Sequence, residues 1–279
     1  MGTIEYSNAV AVVTGGGDGI GRSIVLSLAA RGATVVVADI REEAATSVAR
    51  EAVDRGARSL PVAVDVSRSD QVEAMADLTF DTFGKVDILV NNAGVTTRPF
   101  CALWNASQDD LEFVIDVNLY GVVNGLRAFL PRMRTQSGRR HIVNTSSFAT
   151  LYDTPGHSMY TASKAAVNGL SDVLREEFVD QGDDIGMTVL FPGRVTTDIG
   201  TTSAGLRPRR GSADREVIPY EIKRRFDQEF HEPLPPDRVG EMLLRAIEAG
   251  ASYCVTHPAT VDAMRRKVDE IAAGYFPTD

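Results

Sequence analysis

The 279-residue chain is long enough for one large or two small domains, and its 43% hydrophobic content fits a globule with a sizeable core. Its net charge of −9 and pI near 5.0 exclude general nucleic-acid binding and disfavour docking to anionic lipid, both of which need a basic surface. Cys101 and Cys254 lack metal-ligand spacing; no metal site is expected, and both should be reduced, small, buried groups.

Met1 to Val13 lacks the basic region and apolar run of a signal peptide. The chain begins Met-Gly, but Tyr6 stands where a myristoylation signal wants Ser or Thr. No stretch approaches the roughly 18 apolar residues of a membrane span. The expected location is the cytoplasm.

Val10–Thr14 reads as the first strand and Ile20–Arg31 as the first helix. Between them lies Thr14-Gly15-Gly16-Gly17-Asp18-Gly19-Ile20-Gly21. Glycines here let the backbone turn tightly and approach a pyrophosphate, with the helix N-terminus facing its charge. The spacing is Gly15-x-x-x-Gly19-x-Gly21 rather than the commoner G-x-G-x-x-G. The second strand, Ala33–Ile40, contains Asp39 about 20 residues beyond the glycines, where an acid can bind the adenosine ribose hydroxyls. A carboxylate there repels the extra phosphate of NADP, and Asp18 adds a second negative charge. NAD is therefore favoured, while Arg41 keeps dual use open.

Strand–helix alternation continues: helix Glu42–Arg55, strand Leu60–Val66, helix Asp70–Phe83, strand Val86–Asn91 and helix Leu111–Met133. Then come strand His141–Ser146, helix Ser158–Val179, and strands Met187–Phe191 and Ser252–Thr256. Ser69-x-x-Val72 and Ser107-x-x-Asp110 look like helix starts, and Gly56 and Gly84 like stops. Strands that are apolar nearly throughout suit burial on both faces of a parallel sheet. The expected architecture is an α/β, Rossmann-type, doubly wound and mostly parallel seven-stranded sheet, forming a single NAD(P)-binding domain over 1–279. The alternation lapses between Asp198 and Asp237, which carries Arg207, Arg209, Arg210, Arg215, Lys223, Arg224 and Arg225 and ends in Pro233–Pro236. Such a late insertion suits a lid or substrate-binding segment.

Tyr160 and Lys164 stand four residues apart in the expected Ser158–Val179 helix and so share a face. A neighbouring cation favours an ionised phenol, which could serve as a general acid/base. A surface Tyr beside a solvated Lys would have the same spacing.

With these motifs in order, the chain resembles the short-chain dehydrogenase/reductase family, in its main single-domain branch, from Val10 to about Thr256. Thr14 to Gly21 is similar to its Thr-Gly-x-x-x-Gly-x-Gly turn. Asp65-Val66 is similar to its adenine-contacting pair, and Asn91-Asn92-Ala93-Gly94 to the segment bordering the nicotinamide. Asn118 resembles the family's catalytic-helix Asn. Ser147, thirteen before Tyr160, resembles its catalytic Ser, and Tyr160-Thr161-Ala162-Ser163-Lys164 its Tyr-x-x-x-Lys motif. Pro192-Gly193-Arg194-Val195-Thr196-Thr197 resembles the Pro-Gly segment whose last Thr binds the carboxamide.

The resemblance implies Asn118, Ser147, Tyr160 and Lys164 as catalytic residues. It implies Gly15, Asp18, Gly19, Ile20, Gly21, Asp39, Asp65, Val66, Asn92, Ala93, Gly94, Tyr160, Lys164, Pro192, Gly193, Val195 and Thr197 as cofactor-binding. Tyr160 would exchange a proton with a substrate oxygen that Ser147 orients. Lys164 would lower the Tyr pKa and bind the nicotinamide ribose, and Asn118 would hold a water leading from Lys164 to solvent.

The substrate side would be lined by Val95, Thr96, Phe148, Leu151, Tyr152, Thr154, His157 and the 198–237 segment. Ser147, Phe148, Tyr152, His157 and Tyr160 are the candidate contacts. Phe148, Leu151 and Tyr152 favour an apolar or ring-bearing secondary alcohol interconverted with its ketone by an NAD-dependent oxidoreductase, although the basic insertion could meet an acidic substrate group. Trp104 is expected to pack rather than stack on a ligand. The alternatives are an NADPH-dependent reductase of acyl-thioester-type carbonyls and a non-catalytic nucleotide-binding regulator. The family resemblance also implies a homo-oligomer, tetramer or dimer, with Leu111–Met133 and Ser158–Val179 at interfaces.

Overall fold

The computed structural model describes residues 4–97, 100–151, 154–207 and 232–275. Seven strands form one sheet in the order β3-β2-β1-β4-β5-β6-β7, with every pairing parallel. They are β1 (Val10–Thr14), β2 (Thr34–Asp39), β3 (Ser59–Ala63), β4 (Ile88–Asn91), β5 (Arg140–Thr145), β6 (Ile185–Phe191) and β7 (Tyr253–Val255). The expected doubly wound sheet is present, and among the described strands it is wholly parallel.

The apolar runs fill two cores because successive side chains on a strand point to opposite faces. Ala11, Val13, Val35 and Val37 enter one core with α1 (Gly19–Ala30), α2 (Glu42–Asp54) and α8 (Pro236–Glu248). Val12, Val36, Leu89 and Ile142 enter the other with α3 (Ser69–Phe83), α5 (Gly121–Arg134) and α6 (Ser158–Gln181). Fully burying each large aliphatic side chain contributes about 1.5–3 kcal/mol. Helix α9 (Pro258–Ala273) follows β7.

Several boundaries differ from those expected, for local hydrogen-bonding reasons. Strand β3 stops at Ala63 because Asp65 turns inward: its Oδ1 accepts from the Ser67 amide and hydroxyl at 3.0 and 2.7 Å. Val86 is outside β4 because both its backbone groups pair with the Gln136 side chain. Ser69 is the first residue of α3, not its side-chain cap, whereas Ser107 does cap α4 (Gln108–Ile115) by accepting from the Asp110 amide at 3.2 Å. Gly84 ends α3 in a left-handed conformation, φ 75°.

The expected helix Leu111–Met133 is continuous but uneven: α4 and α5 are joined by a π-turn at Asp116–Tyr120. The whole Gln108–Arg134 helix is long and apolar enough to cross a membrane by composition. Here its Val114, Val122, Leu126, Phe129 and Met133 are buried in the protein, as in a core helix.

The strand order reverses between β1 and β4, whose neighbours lie on opposite sides. Loops leaving their carboxyl ends must diverge there and open a crevice. Helix α7 (Ile199–Leu206) begins the 198–237 insertion; residues 208–231 lie outside the described residues. The insertion is tied at its neck, where the Leu234 amide donates to Arg194 O at 2.8 Å and the Thr196 amide to Leu234 O at 3.0 Å.

Candidate active site

The crevice is a cleft of about 660 Å³ running from the glycine turn to α7. At one end, Gly15 and Gly19 have φ of 61° and 50°, where a side chain is strained. A Cβ on Gly21 would stand 1.9 Å from the Gly15 carbonyl oxygen, so no larger residue fits that turn. Asp18 caps α1, its Oδ1 accepting from the Gly19 amide at 2.7 Å. Ile20 follows in the first turn of the helix and also lines the cleft.

Asp39 closes this end at the tip of β2 and is only 6% exposed. Its Oδ2 accepts from the Gly17 amide at 3.0 Å and its Oδ1 from the Arg41 amide at 3.0 Å. A Cβ on Gly17 would come 2.8 Å from Asp39 Oδ2 and 2.7 Å from Ala44 Cβ. Gly17 thus couples the turn to Asp39, a constraint that glycine spacing alone did not reveal. Asp65 and Val66 also face the cleft.

The floor is built on β4 and β5. Thr14 Oγ1 accepts from the Asn92 and Ala93 amides at 3.0 and 3.1 Å, and Asn92 Nδ2 donates to Thr14 O at 3.0 Å. Gly94 leaves room where a Cβ would be 3.2 Å from both Lys164 Nζ and Asn118 Oδ1. Asn118 itself does not line the cleft; it is fully buried behind it, in the π-turn. Its Oδ1 accepts from the Val95 amide at 2.8 Å, while Nδ2 donates to Val95 O at 3.0 Å and Ser163 Oγ at 3.1 Å. Asn118 therefore ties the β4 loop to α6.

Ser147, Tyr160 and Lys164 converge at the cleft floor. Ser147 Oγ accepts from the Ala149 amide at 3.1 Å. Lys164 is 3% exposed and donates to Thr145 O at 2.8 Å. Burial pushes its ammonium down to about 8. Burial also raises the Tyr160 phenol above its ordinary value, with a Ser147 hydrogen bond acting the other way. The direction is thus opposite to the depression expected from Lys164: desolvation penalises the phenolate more than the Ser147 hydrogen bond favours it.

Pro192, Gly193, Val195 and Thr197 line the opposite wall. The Gly193 amide donates to Thr256 Oγ1 at 2.8 Å, and a Cβ on Gly193 would lie 2.3 Å from His257 Nδ1. Thr256 and His257 therefore buttress the Pro-Gly loop from β7, a role with no local sequence signal. Thr197 approaches the glycine turn: its Cγ2 would be 3.0 Å from a Cβ on Gly19.

On the side expected to take substrate, Val95, Thr96, Phe148 and His157 line the cleft, joined by Phe100, Ile199, Thr202, Ser203 and Leu206. Leu151 and Thr154, expected there, are not among the lining residues, and Tyr152 lies outside the described residues. The His157 ring lies between Phe100, at 4.6 Å, and Tyr160, at 4.3 Å. Its Nε2 shares a 2.7 Å hydrogen bond with Thr96 Oγ1. The Thr96 amide donates to Ser203 Oγ at 3.0 Å, and Arg207 pairs with Asp110, so α7 is anchored at both points. Trp104 neither packs nor faces the cleft: it is 82% exposed on a single outer turn, Leu103–Asn105. Cys254 is buried and Cys101 half-buried; both are free thiols, and no metal-binding cluster occurs among the described residues.

A family model described as short chain dehydrogenase matches residues 9–205. The chain is 29% identical to the "CLA biosynthesis dehydrogenase/reductase" of Lactiplantibacillus plantarum, over 98% of this chain and 96% of that protein. It is 35% identical to the Mycobacterium tuberculosis protein named "Probable oxidoreductase EphD", over 87% of this chain but only 40% of that protein. Among solved structures, a short chain dehydrogenase/reductase from Burkholderia phymatum in complex with NAD superposes with a TM-score of 0.88 at 34% identity, covering 99% of both chains.

Proposed function

Because this chain belongs to the short-chain dehydrogenase/reductase family, we propose that it is an NAD-dependent oxidoreductase interconverting a secondary alcohol and its ketone. The observation that carries the reading is the meeting of Ser147, Tyr160 and buried Lys164 at the cleft floor.

The glycine turn, Asp39 and the Asn92–Gly94 floor leave a cradle that a Cβ would fill at Gly15, Gly21 or Gly94. Such a shape fits a dinucleotide, and the Burkholderia phymatum relative in complex with NAD supports the same cofactor here. Gly15 to Gly21 would hold the pyrophosphate, Asp39 the adenosine ribose, Asp65 and Val66 the adenine, and Lys164 and Thr197 the nicotinamide side. When bound, NAD supplies the hydride acceptor or donor.

Tyr160 holds the proton at its phenol oxygen and exchanges it with the substrate oxygen. Ser147 donates to that oxygen and fixes its distance from Tyr160, where charge develops. Lys164 places a cation behind the phenol, and Asn118 fixes the loop that shapes its pocket. Phe100, Phe148, Ile199 and Leu206 give the substrate end an apolar lining, which supports an apolar or ring-bearing alcohol. Exposed Tyr120, Val173 and Val179 on the π-turn and α6 support a homo-oligomer, and the cytoplasm is the proposed location.

The test is NADH fluorescence across a panel of secondary alcohols, with Tyr160→Phe as control. Turnover of an apolar alcohol that falls at least about a hundredfold in the variant, with NAD⁺ binding retained, is expected. Near-normal turnover by Tyr160→Phe would overturn the mechanism.

A further inference from the structure

The Pro192–Gly193 peptide is held at both of its polar atoms. Pro192 O accepts from the Phe148 amide at 3.1 Å, and the Gly193 amide donates to Thr256 Oγ1 at 2.8 Å. Phe148 directly follows Ser147, and Thr256 stands just past the end of β7. A peptide unit is planar, so fixing its C=O and its N–H fixes the whole plane. One peptide thus joins the Ser147 loop to the edge of the sheet.

Thr256 and His257 are held in turn. Thr256 is buried, its amide donates to Phe191 O at 3.3 Å, and its hydroxyl lies 2.7 Å from His257 Nδ1. His257 precedes Pro258, which restricts it to extended backbone, and it caps α9 with φ −132° and ψ 136°. The Thr260 amide donates to His257 O at 3.1 Å. The ring so placed lies against Gly193, where a Cβ would meet three imidazole atoms at 2.3, 2.7 and 2.9 Å. Gly193 is not among the glycines with positive φ, so the imidazole and not the backbone excludes a side chain there.

We propose that Thr256 and His257 are positioning residues for the redox step: acting through the Pro192–Gly193 peptide, they set where the Pro-Gly wall of the cleft stands relative to Ser147 and Tyr160. The inference rests on the NAD reading, in which that wall borders the nicotinamide. Neither residue lines the cleft, so neither acts by touching a ligand there. A misplacement of about 1 Å at reacting atoms can cost about a hundredfold in rate, and a wall that shifts carries its ligand with it. The two residues restrain different motions. Without the Thr256 hydroxyl the peptide plane can rotate; without the imidazole the loop can sink towards α9.

Thr256→Val keeps the branched shape and removes the hydroxyl, whereas Thr256→Ser keeps the hydroxyl. These two, His257→Ala, Gly193→Ala and the Gly193→Ala/His257→Ala double variant are compared with the wild type as full-length proteins. The measurements are amide hydrogen exchange over residues 192–197 without cofactor, calorimetric titration of NAD⁺, and kcat and KM with the secondary alcohol that the wild type turns over fastest. In Thr256→Val, exchange is expected to be about tenfold faster and kcat about tenfold lower, with KM for the alcohol within about threefold; Thr256→Ser restores both. Gly193→Ala is expected to weaken NAD⁺ binding about tenfold or more, while the double variant binds no worse than His257→Ala. Normal kcat and exchange in Thr256→Val overturn the proposal. So does a loss on Gly193→Ala that is equally large with and without the imidazole. The exchange measurement needs no cofactor, so a wild type that fails to bind NAD⁺ removes the NAD reading separately from the restraint on the loop.

Discussion

The imidazole of His157 lies flat against the phenol ring of Tyr160, with centroids 4.3 Å apart and planes within 8°. Phe100 contacts its ring as well, and Thr96 fixes its Nε2. The Tyr160 ring therefore has a packed wall on one face, which restricts its rotation.

Loss of that wall should appear in turnover more than in cofactor affinity. His157→Leu is expected to lower kcat about tenfold, as a displaced general acid/base loses alignment. His157→Phe keeps a flat ring and should recover most of the loss. Steady-state kinetics with an accepted alcohol distinguishes the two; equal kcat in wild type and His157→Leu would show that the stack does not position Tyr160.

The glycine turn has no slack. Gly21→Ala would set a Cβ 1.9 Å from Gly15 O and 2.7 Å from Asn92 Nδ2, so the turn or the β4 loop must move. NAD⁺ affinity is expected to fall more than about tenfold, with the circular dichroism spectrum retained. Calorimetric titration of the variant measures it.

Burial holds the Tyr160 phenol above its ordinary value, so the protonated acid predominates at neutral pH. Ketone reduction uses that form and should be flat through neutrality. Alcohol oxidation needs the phenolate, whose fraction rises about tenfold per pH unit below the pKa. Its kcat/KM should therefore climb with pH, then flatten as Lys164 loses its proton around a pKa of about 8. Parallel pH profiles in the two directions check the sign.

A second titration bears on stability rather than rate. His141 is 1% exposed, shares a 2.9 Å hydrogen bond with Thr188 and has its pKa lowered to about 3, chiefly by burial and then by Arg139. The unfolded chain takes up this proton first, near the ordinary imidazole value of 6.5. Stability is full above that pH and is lost as pH falls towards 3, by up to about 5 kcal/mol. Denaturant titrations across this window should show a smaller slope with pH for His141→Phe than for the wild type.

Much of the molecule was legible from one dimension because its signals are local. Strand β1 ends where the glycines begin, and its residues are apolar since both faces are buried; Ser107 and Gly84 mark helix ends through bonds to their own neighbours. Tyr160, Lys164 and Ser147 were legible because spacing alone places a Tyr and a Lys on one helix face, and because the motifs occur in family order. Boundaries failed where a distant side chain replaced a ladder bond, as Gln136 does at Val86.

The sequence by itself determined the alternating α/β order, the glycine turn and the chemical types at the site, since each depends on periodicity or residues within a few positions. Only the tertiary structure decided that Asn118 stands behind the cleft rather than in it, and that His157 faces Tyr160. It also decided that Asp18 and Asp39 share Arg41, that Thr256 and His257 support the Pro-Gly loop, and that burial raises the phenol. These are matters of long-range packing and burial: they depend on which surfaces the sheet brings together, and no spacing along the chain encodes the distance between residues on different strands.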